Sequence, residues 1–179
     1  MGLDHALCAI VPASRAHGLL PALARVLDAA SRQELDGLSL QALAAGASRC
    51  LALHVQLEAD LGALFDAPAP DCIAAPGSLG CLWTTVHVGE HWVLLQLAAA
   101  TSSLSAALQL SGQVQDRWRA FARDAGAALA YLDLDGGDLE GGAARCLFPD
   151  DRPLALPGPV GERFDVDAWC ARLLGAESP

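Results

Sequence analysis

At 179 residues the chain has the length of one domain and is short for two. All 11 of its cations are arginine, against 21 carboxylates, giving a net charge of −10 with a pI near 4.7, and neither lysine nor asparagine occurs. This excludes a Schiff-base lysine, a P-loop lysine and a Ser-Lys nucleophile pair, and it argues against binding to nucleic acid or to anionic membrane surfaces.

Hydrophobic residues make up 53% and charged residues 18%, a composition that folds. Ala6 to Val11 is a short apolar run stopped by Pro12 and reads as a strand. From Gly18 to Ser31, apolar residues recur at three- and four-residue spacing, which predicts a helix that tolerates Pro21 only in its first turn. Leu35 to Ala45 adds a shorter helix. Cys50 to Leu57 alternates, with Leu51, Leu53, Val55 and Leu57 on one face of a strand and Cys50, Ala52, His54 and Gln56 on the other. Residues 58–80 form a proline-rich connector, with one helical turn expected at Leu61 to Phe65.

Cys81 to Val88 and His91 to Ala98 are two extended runs, and a Gly89-Glu90 turn between them predicts a hairpin over 81–98 in which His87 faces Trp92. Ser102 or Ser103 caps a helix that is interrupted near Ser111 and Gly112 and continues to Gly126 with Val114, Trp118, Phe121 and Ala122 as its apolar stripe. Ala128 to Leu134 is a strand, Ala144 to Phe148 pairs back, and 149–163 is an irregular proline-rich segment. Asp165 caps a last helix that ends at Gly175. The expected fold is therefore a single α+β domain over 1–179, with a mainly antiparallel sheet and helices packed on it.

After the first strand, the order helix, three strands, helix, two strands, helix resembles that of the secretion chaperones, which are also small and acidic. The resemblance spans Gly18 to Leu174. It implies a chaperone that binds a protein client, while the N-terminal strand and the proline-rich connector depart from the pattern.

The sharpest catalytic motif is His87-Val88-Gly89-Glu90-His91, the H-x-x-E-H of inverted zinc peptidases. That chemistry needs both imidazoles on one helix face, whereas a hairpin sends them to opposite sides of a sheet, so no metal is expected. Asp133, Asp135, Asp138 and Glu140 lack calcium-loop spacing. Pro76 to Gly80 misses the first glycine of G-x-S-x-G, and Thr101, Ser102, Ser103 and Ser105 read as helix caps. Arg117, Arg119 and Arg123, with Asp116 and Asp124, read as an ion-paired solvent face. A dyad of Cys50 or Cys81 with His54 is one route to the alternative function, a small hydrolase using a Cys or Ser nucleophile or a His-ligated metal. The acidic start Met1 to His5 argues against a signal peptide, and six cysteines without Cys-x-x-Cys read as buried thiols of the cytoplasm.

No catalytic set converges, and no cofactor is called for. The expectation is a non-catalytic, acidic cytoplasmic protein of the inhibitor, immunity or secretion-chaperone type. It would bind a basic protein partner through the mixed aromatic face of Trp83, Thr85, His87, Trp92, Leu94 and Gln96, with a homodimer through that face as the third possibility.

Overall fold

The computed structural model describes residues 5–45, 49–55, 78–134, 142–158 and 164–175. The strands are β1 (Ala6–Pro12), β2 (Arg49–His54), β3 (Ser78–Val88), β4 (Trp92–Ala99), β5 (Leu129–Asp133), β6 (Gly142–Phe148) and β7 (Arg152–Leu156). The helices are α1 (Leu19–Val26), α2 (Ala29–Leu35), α3 (Leu40–Ala45), α4 (Ser102–Leu110), α5 (Gly112–Asp124) and α6 (Val166–Leu174), with a 3-10 turn over Ala13–Gly18. The strands form one sheet in the order β2-β3-β4-β1-β5-β6-β7, every neighbouring pair antiparallel, so the chain is a single α+β domain.

β1 lies at the centre, between β4 and β5. It is covered on both faces, which is why its sequence is apolar throughout and not alternating. On one face Leu7, Ala9 and Val11 join Leu51, Leu82, Val86, Leu95 and Leu132 beneath helices α1 to α5. On the other, Ala6, Cys8 and Ile10 join Leu94, Leu129 and Tyr131 beneath Val166, Trp169 and Cys170 of α6. In the secretion-chaperone order this strand has no counterpart, yet here its removal would separate β4 from β5.

The expected helix over Gly18 to Ser31 is broken instead. Leu27 turns extended and bridges to Leu53, and Asp28 restarts the chain as the N-cap of α2 by accepting from the Ser31 amide at 2.8 Å. This break closes the outer side of β2. The Asp28 amide donates to the Ala52 carbonyl at 3.0 Å, and the Ala52 amide donates to Ser31 Oγ at 2.7 Å. An edge strand that would otherwise template pairing is thereby satisfied. Ser31→Ala leaves the buried Ala52 amide without its acceptor, so urea denaturation is expected to report a loss of about 1–3 kcal/mol. A change within experimental error would mean that water reaches this edge.

The helical interruption near Ser111 is a sharp one. Ser111 ends α4 and caps α5, its Oγ accepting from the Val114 amide at 3.3 Å. The proline-rich 149–163 segment is not irregular throughout, because β7 occupies Arg152–Leu156. Pro153 lacks an amide and is tolerated there because β7 ends the sheet. The connector over 58–80 lies outside the described residues except for its last three, which open β3.

Candidate functional site

The hairpin forms, with its turn moved. Val88 pairs with Val93, His87 with Leu94, Thr85 with Gln96 and Trp83 with Ala98, while the Gly89 amide donates to the Trp92 carbonyl at 2.9 Å. The turn is therefore Glu90-His91 and not Gly89-Glu90, and His87 does not face Trp92. The shift is two residues, one full period of side-chain alternation, so the predicted faces survive it. Trp83, Thr85, His87, Trp92, Leu94 and Gln96 do lie on one face of the sheet.

A carboxylate from the far end of the chain selects that turn. Asp167, in the first turn of α6, accepts from the backbone amides of Glu90 at 2.6 Å, His91 at 3.0 Å and Trp92 at 2.9 Å. Gly89 permits this approach, because a Cβ there would overlap the Asp167 carboxyl and Val166 Cγ1. α6 is thus pinned across β4 and leaves β3 less covered. Leu94 and Gln96 are buried and Thr85, His87 and Trp92 half-buried, while Trp83 is 43% exposed. Phe164, just ahead of α6, meets the His87 ring edge-on at 4.9 Å and lies 6.1 Å from the Trp169 ring. Burial lowers the His87 pKa from its usual value, opposed in part by a hydrogen bond with Gln96.

This geometry separates the members of the H-x-x-E-H motif. His87 sits on the sheet face and His91 is exposed in the turn, and among the described residues no group of three metal-capable side chains comes together. Thr101 Oγ1 accepts from the Leu104 amide at 3.2 Å as the cap of α4, and buried Ser105 accepts from the His5 amide at 3.0 Å. Arg119 bonds Asp116 at 2.7 Å and Asp151 at 3.1 Å, and Asp124 pairs with Arg25 at 3.0 Å, as expected of an ion-paired surface. Asp133 is buried at the end of β5; residues 135–140 lie outside the described residues, as do Pro76 and Gly77.

The cysteines correct an expectation. Cys50 and Cys81 are joined by a disulfide, with their Cα atoms 5.8 Å apart. Cys50 stands opposite Trp83 and Cys81 opposite Ala52, which makes the two sulfurs diagonal neighbours on one face. Bonded sulfur is no nucleophile, so neither forms the alternative dyad with His54. Cys8, Cys146 and Cys170 are free and buried, as predicted for structural thiols. Desolvation raises the pKa of all three; Asp133 adds to the effect at Cys8, and Asp167 adds to it at Cys170, which is pushed up to about 12.

A second concavity had no counterpart in the sequence reading. The 3-10 turn, α1, α2 and the approach to α3 enclose an open cleft of about 940 Å³, with Leu20, Ala24 and Leu38 in its walls and His17, Arg32 and Asp36 among its polar groups. Its signal was the break at Leu27 and Asp28, without which α1 and α2 would be one rod.

Fold and site together define a class: an antiparallel α+β domain whose outer sheet face is partly closed by a C-terminal helix locked to a hairpin turn. Compared with known protein families, curated proteins and solved structures, the chain matches none of them. No helix among the described residues is long and apolar enough to cross a membrane.

Proposed function

We propose that this is a non-catalytic, acidic protein-binding protein, of the inhibitor, immunity or secretion-chaperone type, that engages a basic protein through the β3 side of the hairpin face. The observation that supports it best is Trp83, 43% exposed between half-buried and buried neighbours on an ordered sheet. Tryptophan is among the residues enriched at binding hot spots, and half-buried Thr85 and His87 on the same strand face extend the platform. The net charge of −10 favours encounter with a basic surface and supplies long-range attraction that salt screens. A cytoplasmic location belongs to the same proposal, supported by the three free, buried thiols and opposed by the Cys50–Cys81 disulfide.

The test is recovery of a stoichiometric protein partner from the native host, followed by titration. Trp83→Ala is expected to weaken the complex by about 30-fold or more, which is 2 kcal/mol at 25 °C, with unfolding free energy unchanged. Raising ionic strength should slow association more than it speeds dissociation. A partner bound equally well by Trp83→Ala sinks the site, and recovery of a free monomer alone sinks the function. A dimer in light scattering that Trp83→Ala dissociates would transfer the face to self-association.

A further inference from the structure

We infer that the Cys50–Cys81 disulfide is a thiol–disulfide exchange site, opened and closed in the folded protein by a dithiol that attacks the Cys50 sulfur. The inference does not depend on the binding reading. Its first support is the division among the described cysteines: Cys8, Cys146 and Cys170 are free and buried, while the bonded pair joins β2 to β3 on the outer face. Cys50 is half-buried and Cys81 is 5% exposed, which makes the Cys50 side the more open approach to the bond.

The second support is topological. β2 is the end strand of the sheet and remains paired with β3 through Arg49, Leu51 and Ala52 when the crosslink is cut. Opening the bond therefore leaves the central strands β4, β1 and β5 untouched, and the reaction needs only local freedom at an edge. Reactivity of a disulfide depends on which sulfur is accessible. Here that sulfur belongs to the outermost strand.

The step balances with a dithiol as reductant. Its first thiolate bonds to Cys50 Sγ as the Cys50–Cys81 bond breaks, and Cys81 leaves as a thiolate that takes up a proton. The second thiolate of the reagent then attacks its own partner sulfur, releasing Cys50 as a thiolate and departing as a cyclic disulfide. Two electrons pass to the protein, and the reverse sequence restores the bond.

Trp83 supplies an internal reporter, because it stands directly opposite Cys50 and two residues from Cys81 on the same strand face. A disulfide at that range quenches indole emission. The purified protein is treated with dithiothreitol under native conditions, alkylated at intervals and mapped by mass spectrometry, with fluorescence followed in parallel. Cys50 and Cys81 are expected to be unlabelled before reduction and labelled after it, while Cys8, Cys146 and Cys170 stay unlabelled until denaturant is added. The rate should rise in proportion to dithiothreitol, emission should increase several-fold more in the parent than in Trp83→Phe, and Cys81→Ser should release one more chromophore per chain from an aromatic disulfide reagent than the parent does, through Cys50. Labelling of the pair without reductant would overturn the inference. So would a rate independent of dithiothreitol concentration, which would mean that the bond is reached only by unfolding.

Discussion

Trp118→Ala is expected to lower the unfolding free energy by about 3–5 kcal/mol, measured from urea or guanidinium midpoints with an unchanged slope. The indole is fully buried in α5, its ring stacks on Phe121 with centroids 4.3 Å apart, and its Nε1 donates to the Cys8 carbonyl at 3.0 Å. That hydrogen bond ties α5 to the central strand, between residues far apart in sequence. Removing the side chain opens a cavity where the helical layer meets β1 and strands the surrounding apolar atoms without contacts. Trp118→Phe separates the contributions, because it keeps an aromatic ring for Phe121 and deletes the donor, and it should cost about 1–3 kcal/mol. A loss below 1 kcal/mol for Trp118→Ala would mean that α5 does not rest on β1 as described.

The apolar stripe that carries Trp118 was legible in the sequence, as were the strands of the hairpin, the interruption at Ser111, the cap at Asp165 and the stop at Gly175, because each is fixed by neighbours within a few residues. What could not be read depends on distant partners. The central place of β1 follows from pairing with β4 and β5, and a continuous apolar run does not name its neighbours. Leu27 has helical periodicity, yet β2 recruits it as a bridge to Leu53. The Cys50–Cys81 bond needs the register of β2 against β3, set across a separation of 31 residues. Of the candidate site, the shared face was predictable from alternation alone. Which of its residues stay uncovered was not, since α6 decides that, burying Leu94 and leaving Trp83 exposed.

The contact that pins α6 to the hairpin turn can be broken from either side. Gly89→Ala places a methyl group where the Asp167 carboxyl and Val166 Cγ1 now lie, so the carboxylate must leave its three amides. Two of those bonds are solvent-exposed and water can replace them in part, which holds the expected cost to about 2–4 kcal/mol. The loss should be local: hydrogen exchange is expected to quicken in α6 and in the Glu90-His91 turn, while amides of β1 and β5 keep their protection. His87 gives an independent reading. Burial holds its pKa below the usual value, so loosening Phe164 and α6 should move its NMR titration midpoint upward, toward about 6.5. Asp167→Ala should produce the same changes more weakly, since it removes the three bonds without a clash. The two substitutions act through one contact and must not add: in the Asp167→Ala background, Gly89→Ala meets only Val166 and should cost well under its value in the parent. Additive effects would mean that glycine at 89 serves the turn itself, and that α6 is held over the sheet by Trp169 and its apolar neighbours alone.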